Sequence, residues 1–362
     1  MNDCLDRETL AWSDHRIYFG DSREMVSIQD SSVDLIVTSP PYPMVEMWDE
    51  TFTILNRDIG AALRCADGPA AFEMMHLELD KVWRQCFRVL KPGGLICINI
   101  GDAVRSLRSD FRIYPNHARV LLTMQSLGFI TLPDILWRKP TNAPNKFMGS
   151  GMLPVGAYVT YEHEYILIFR KGDRRQFRFE KEKKRRRESA FFWEERNVWF
   201  SDVWTDLKGI NQELDAQAGR SRSGAYPVEL PYRLICMFSV YGDTVLDPFL
   251  GSGTTVVAAI MACRHSIGME YFDSLKPLIS QNVNRALAHG SAKVSERYKN
   301  HVNFVECRVR EGHRFKYTNC IYHFPVMTAQ EKDLVFYKPI CIEEISENFF
   351  RVKNELMLEN DG

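Results

Sequence analysis

Two consecutive prolines directly behind a short apolar run constrain this chain more than any other feature. The run Val33-Asp34-Leu35-Ile36-Val37 reads as a buried strand, and Thr38-Ser39-Pro40-Pro41-Tyr42 follows it. Neither Pro40 nor Pro41 has an N–H to donate, so the ladder must stop there. The chain then leaves the sheet at its carboxyl edge as a stiff loop, and ligands of open α/β sheets bind at that edge. The loop offers the Ser39 hydroxyl, backbone carbonyls that no strand can satisfy, and the ring of Tyr42. Such a set suits a flat substrate bearing an amine. The alternative at this point is a Pro-Pro turn with a packing tyrosine.

The remaining pattern alternates strands with helices. Residues 16–19 read as a strand closed by Gly20-Asp21, and 22–28 as a short helix. Residues 43–71 read as loop. A helix is expected over 72–90, with Met74, Leu77, Val82, Cys86 and Val89 on one face, stopped by Lys91-Pro92-Gly93-Gly94. Strands are expected at 95–100, 135–138, 165–169, 244–249 and 265–269, and helices at 117–127, 231–240, 256–263 and 273–289. Residues 296–362 hold strand-like runs such as 334–337. This alternation predicts an α/β fold, a mostly parallel sheet with helices on both faces.

A second site lies in Asp247-Pro248-Phe249-Leu250-Gly251-Ser252-Gly253-Thr254-Thr255, a strand, a glycine turn and a helix start. Gly251 and Gly253 let a ligand approach the backbone, and the free N–H groups of a helix beginning near Thr254 favour a negative group. Glu270 ends the next strand, where a carboxylate can accept from a ribose diol. Val256 stands where a dinucleotide fingerprint has its third glycine. The turn therefore suits a smaller anion, such as an amino-acid carboxylate, better than a pyrophosphate, and a nicotinamide oxidoreductase is disfavoured.

The net charge is −1, so nucleic-acid contact needs a local patch. One exists at 170–187, which includes Arg174, Arg175, Lys183, Lys184, Arg185, Arg186 and Arg187 with Phe177 and Phe179 between them, and Phe191, Phe192 and Trp193 just beyond. The alternative is a solvated charged helix or loop. Nine cysteines contain no Cys-x-x-Cys pair, so no metal site is expected, and their use fits a reducing cytoplasm. No signal peptide and no run able to span a membrane is seen.

Together the two sites resemble the DNA amino-methyltransferases that use S-adenosylmethionine. Thr38 to Tyr42 is similar to the family's catalytic Ser-Pro-Pro-Tyr loop, and Asp247 to Thr255 to its cofactor loop. Leu90-Lys91-Pro92-Gly93-Gly94, Trp137-Arg138-Lys139 and His163-Glu164-Tyr165 are similar to further family runs. The catalytic loop precedes the cofactor loop, the order of the family's β group. The resemblance covers about residues 15–290 and implies a Rossmann-like methyltransferase fold with circularly permuted motif order. It divides the chain into a catalytic half (1–169), a target-recognition region (170–225), a cofactor half (226–295) and a C-terminal extension of unknown role (296–362). It implies S-adenosylmethionine as cofactor, with Asp247 and Phe249 beside its methionine part, Gly251, Gly253 and Thr254 shaping the pocket, Glu270 on the ribose and Asp21 on the adenine. Pro227 is carried over from a segment where many relatives have His-Pro and this chain has Tyr226-Pro227.

The implied reaction is methyl transfer to an exocyclic amine of a base flipped out of double-stranded DNA. Ser39 and the Pro40 carbonyl accept the amine hydrogens, Pro41 stiffens the loop and Tyr42 stacks on the base. Serine at position 39 resembles the cytosine-N4 branch, and adenine-N6 is the alternative. An RNA or protein amino-methyltransferase and a non-catalytic DNA-binding module are the competing classes. No cysteine follows a proline, which argues against carbon-5 methylation. A cognate restriction endonuclease and a homodimer are compatible with the resemblance, and the sequence leaves both open.

Overall fold

The computed structural model describes residues 11–108, 110–139, 148–149, 151–208 and 226–358. In chain order the strands are β1 (Trp12–Phe19), β2 (Val33–Thr38), β3 (Leu90–Ile100), β4 (Ala103–Leu107), β5 (Asp110–Tyr114), β6 (Phe129–Thr131), β7 (Ile135–Arg138), β8 (Met148–Gly149), β9 (Ala157–Tyr158), β10 (His163–Lys171), β11 (Val203–Trp204), β12 (Thr244–Asp247), β13 (His265–Glu270), β14 (Tyr317–Thr318), β15 (Pro325–Val326), β16 (Tyr337–Ser346) and β17 (Phe349–Leu356). The helices are α1 (Asp49–Leu55), α2 (Arg57–Cys65), α3 (Gly68–Val89), α4 (Asn116–Ser126), α5 (Glu180–Glu188), α6 (Trp193–Trp199), α7 (Glu229–Phe238), α8 (Thr254–Met261) and α9 (Lys276–Arg310).

One eleven-stranded sheet organises the molecule in the order β11-β7-β10-β3-β2-β12-β13-β1-β17-β16, with β6 on β10. From β3 to β1 the strands are parallel. On both flanks pairing turns antiparallel, at β10 against β3 and at β17 against β1. Side chains alternate between the two faces, as the pleat requires. Leu35, Val37, Cys97 and Val245 enter the core under α7, α8 and α9. Ile36, Ile96, Ile98 and Leu246 enter the opposite core under α1 to α4. Both faces are thus covered, and the α/β class holds.

Several local expectations are corrected. Residues 22–28 form turns rather than a helix. The stretch 43–71 holds α1 and α2, because Asn56 caps α2 through Asp58 N and Phe52 and Ile59 are buried. In α3 the buried stripe is Ala71, Met75, Leu79, Val82, Trp83 and Cys86, while Leu77 faces solvent. Lys91 to Gly94 does not separate helix from strand but forms an irregularity inside β3, where the partner register jumps from Val33/Leu90 to Leu35/Leu95. Gly93 takes a positive φ of 82° there. Helix α9 runs far beyond residue 289 and crosses the boundary drawn at 296. A side chain at Gly290 would meet Pro339 Cγ at 2.5 Å. It is a close-packing position in mid-helix. The extension then adds β16 and β17 to the main sheet, and Tyr322, Phe324 and Phe336 pack with Phe192 and Val294 in a small core.

Candidate active site

The parallel strands all end on one edge. Register places Phe19 beside Glu270 and Asp247 beside Gly268, and brings Thr38 level with Ile98. The loops after β1, β2, β12 and β13 therefore converge. A cavity of about 790 Å³, counting its open mouth, lies among them. Asp21, Ser39, Pro41, Phe249, Gly251 and Glu270 line it. Two loops more than 200 residues apart thus share one pocket.

The buried Glu270 carboxylate accepts from Gly251 N at 2.7 Å and Phe272 N at 2.9 Å. Both oxygens are fixed by backbone, and a carboxylate retains lone pairs for further donors. The glycine turn supports this geometry: Gly251 and Gly253 have φ of 57° and 89°, and Gly253 caps α8. Asp21 accepts from Arg23 N at 2.8 Å and Arg23 Nη2 at 2.6 Å. Its bonds to Arg23 hold its carboxyl below the usual range although burial opposes this. Arg23 also pairs with Glu78, which binds Lys81.

Asp247 does not line the cavity. It is 2 % exposed and accepts from Thr38 Oγ1 at 2.6 Å, Thr255 Oγ1 at 2.5 Å, Phe249 N at 3.0 Å and Tyr226 Oη at 3.4 Å. Burial still pushes its carboxyl above the ordinary value. Asp247 therefore ties the catalytic loop to the cofactor loop from behind. Tyr226 takes part through hydroxyl bonds to Asp247 and Thr255. Pro227 is buried in the turn entering α7, where its carbonyl accepts from Leu230 N, and Gly253 and Thr254 stand at the start of α8 outside the cavity lining.

Tyr42 sits next to the cavity in a polar cluster. Its hydroxyl donates to Glu164 Oε2 at 2.9 Å, accepts from Asn99 Nδ2 at 2.8 Å and lies 3.1 Å from Ser39 Oγ. Asn99 Nδ2 also donates to Glu164 Oε2 at 2.7 Å, and Lys139 Nζ reaches Glu164 Oε1 at 2.9 Å. Burial and the Glu164 charge raise the Tyr42 phenol well above its usual value, so it stays protonated. Pro40 is buried within the loop. The runs at 137–139 and 163–165 thus meet the catalytic loop.

The basic stretch lies elsewhere. Arg175 pairs with Asp243 at 2.6 Å and with Asp34, residues at the amino ends of β12 and β2. Arg187 binds Asp333, Lys183 binds Glu180, and Arg175 and Arg186 flank the Phe177 ring. The Arg175 anchor thus lies at the edge opposite the cavity, with Asp34 about 13 Å from Thr38 by the rise of β2. Arg174 shares that stretch. The structure does not bring these seven residues to Ser39. Of the region drawn at 170–225, residues 209–225 lie outside the described ones.

Sequence reasoning missed the opposite wall of the cavity. Trp48, Phe52, Arg23 and Glu78 line it, together with Phe272 and Leu275. The signal for it is the apolar Phe52 in a stretch that otherwise reads as loop.

Fold and site together define a nucleoside-handling transferase architecture, and the comparisons narrow it. The family model described as DNA methylase, of the N6/N4 methyltransferases, matches residues 33–281. Type II methyltransferase M.MthZI of Methanothermobacter thermautotrophicus is 51% identical over 337 residues, covering 93% of this chain and 94% of its own. Type II methyltransferase M.MjaI of Methanocaldococcus jannaschii is 49% identical over 282 residues, covering 75% and 91%. A DNA modification methylase of Thermus thermophilus, solved with S-adenosyl-L-methionine, superposes with a TM-score of 0.59 at 31% identity, covering 75% of this chain and 94% of that one. The chain belongs to the N6/N4 DNA methylase family. Among the described residues no helix is long and apolar enough to cross a membrane.

Proposed function

We propose that the chain methylates the exocyclic N4 amine of cytosine in double-stranded DNA, with S-adenosylmethionine as cofactor. The observation that supports this reading is the shared cavity, which Ser39 lines together with Phe249, Gly251 and Glu270. The residues fit the cofactor: Glu270 is fixed to receive the ribose diol, and Phe249, Phe52 and Trp48 offer apolar walls. Bound there, S-adenosylmethionine supplies an electrophilic methyl group on a cationic sulfur.

The chain's own residues act on the base. An exocyclic amine is a poor nucleophile because its lone pair is delocalised into the ring. Ser39 Oγ and the Pro40 carbonyl accept its two hydrogens and draw the nitrogen toward a tetrahedral shape. The prolines hold both acceptors in place before the base arrives, so little reorganisation remains at the reaction. Most of the acceleration is orientation. Unstacking the target costs a few kcal/mol, offset by Tyr42 stacking of about 1–3 kcal/mol and by phosphate contacts. The duplex lies over the carboxyl edge, where the β4–β5 hairpin stands and exposed Phe111 stacks on Tyr158.

Serine at 39 favours cytosine. Adenine-N6 is the second reading, since a neutral hydroxyl accepts from either amine. Incubation of mixed-sequence duplex with methyl-labelled cofactor, nucleoside digestion and mass spectrometry is expected to give N4-methylcytosine. N6-methyladenine selects the second reading. Label only in RNA or protein overturns both.

A further inference from the structure

Among the described residues, the polar cluster behind Ser39 fixes the direction of its hydroxyl protons. Glu164 takes Lys139 Nζ on Oε1 at 2.9 Å, and Tyr42 Oη and Asn99 Nδ2 on Oε2. A carboxylate only accepts, so the single Tyr42 hydroxyl proton points at Glu164. The Tyr42 oxygen is then an acceptor toward its other neighbours. Asn99 Nδ2 fills one lone pair at 2.8 Å, and Ser39 at 3.1 Å fills the other by donating. The Asn99 amide has no second choice, because its oxygen would otherwise face the Glu164 carboxylate. The Ser39 proton is thus turned away from the cavity that Ser39 lines, and only lone pairs face inward.

We propose that Glu164 is a positioning residue: it fixes Ser39 as an obligate acceptor and so selects an amine over a carbonyl in the target base. The inference rests on the function proposed above and adds a residue and a specificity rule to it. A base with a carbonyl at the same position, uracil in place of cytosine or hypoxanthine in place of adenine, would oppose oxygen lone pairs to oxygen lone pairs. Unpaired polar groups in a closed site are the strongest source of such rejection.

Glu164→Gln removes the acceptor that fixes the chain, and the Asn99 amide must turn its oxygen toward residue 164, because two N–H₂ groups would otherwise meet where Asn99 Nδ2 lies 2.7 Å from Oε2. Lys139 holds the amide oxygen on its own side, so the amide N–H₂ faces Tyr42. Tyr42 then accepts from residue 164, its proton is shared between Asn99 Oδ1 and Ser39, and the Ser39 proton is no longer held away from the cavity. Two readouts follow, on duplexes with the target base and with its carbonyl analogue. Single-turnover methyl transfer should fall by about tenfold or more with DNA affinity within about twofold, because the loss lies in the acceptor that the reaction needs. The affinity ratio of amine to carbonyl duplex, read by fluorescence anisotropy, should shift toward the carbonyl by about fivefold or more. Glu164→Asp, which keeps the carboxylate, should retain the parental ratio. Tyr42→Phe should slow transfer in the parent but add little in the Glu164→Gln background, since both break the same chain.

A Glu164→Gln enzyme with the parental ratio, whether fast or slow, overturns the proposal, as does additivity with Tyr42→Phe. Should Glu164→Gln not fold by near-ultraviolet dichroism, the Tyr42→Phe ratio decides: an unshifted ratio there also overturns it. Failure of the underlying function is distinct: the parent enzyme itself would then methylate no DNA amine, or would be indifferent to Ser39→Ala.

Discussion

Replacing Asp247 by alanine tests whether this carboxylate holds the protein together or holds the cofactor. Three bonds of 3.0 Å or shorter converge on it, from Thr38, Thr255 and Phe249. Hydrogen bonds to a charged group contribute about 1.5–3 kcal/mol each, but losses from one network are not additive. The burial of the carboxylate also opposes its charged form, which reduces the net loss. A cost of about 3–5 kcal/mol results, typical of breaking a buried polar network. Unfolding entropy of about 2.1 cal/mol/K per residue over 362 residues gives about 0.76 kcal/mol per degree, so Tm should fall by about 4–7 °C. Differential scanning calorimetry of the ligand-free protein reads this directly. Thr38→Val should account for part of the shift and add less than its own value in the double variant. An alanine variant that melts with the parent but binds no S-adenosylmethionine would refute the reasoning and make Asp247 a ligand-facing group.

Further outcomes follow from the geometry. Burial depresses His15 and His76 to about 3 in the folded state, against 6.5 for the free side chain. Their stabilising contribution is complete above pH 6.5 and is lost as pH falls toward the folded values, about 2 kcal/mol per residue by pH 5. His76→Gln should reduce the slope of unfolding free energy against pH by up to about one proton in that window, read by urea titrations between pH 4 and 7; an unchanged slope refutes it. Replacing Lys183, Lys184, Arg185, Arg186 and Arg187 with serine should leave the log–log salt slope of DNA binding within about one unit, since a true phosphate contact contributes about one each. A slope lowered by three or more would place DNA on the amino edge. Gly253→Ala puts a side chain at φ 89° and 3.3 Å from Ile279 Cγ2, so cofactor affinity by calorimetry should drop about fivefold or more, consistent with strain of about 1–3 kcal/mol; unchanged affinity would show that the turn tolerates it.

What could be read in the chain before its structure follows from how local each signal is. The proline pair after β2 and the glycine turn after β12 mark strand ends by backbone chemistry alone, and both fall where expected. Glu270 was legible because it ends a strand beside a glycine turn. Asp247 was legible as important but not in its role, which depends on Thr38 more than 200 residues away. The Glu164–Lys139 contact with Tyr42 was hidden for the same reason, since β7 and β10 reach the loop only through sheet order. The place of the basic stretch was not legible, because charge density says nothing of which edge a helix borders. Its placement is set by Arg175 docking on Asp243 and Asp34. The run of α9 past residue 289 was not legible, because the packing of Gly290 on Pro339 is a distant contact.

The pairing of β1 has a consequence for how the protein is made. Its neighbours on the sheet are β13 and β17; Ser266 bonds His15 from 251 positions away, and Asn354 bonds Ser13 from 341 positions away. At about 5–20 residues per second on the ribosome, the strand synthesised near the start waits roughly 12–50 s for its first partner and longer for its second. Both of its edges stay open meanwhile, the condition in which strands recruit other chains. Asp14 and Arg16 interrupt its apolar residues and discourage such pairing during the wait. Only when β17 arrives does Asp14 receive Arg351, at 2.8 Å. The first of the described strands is thus among the last to be locked into the sheet.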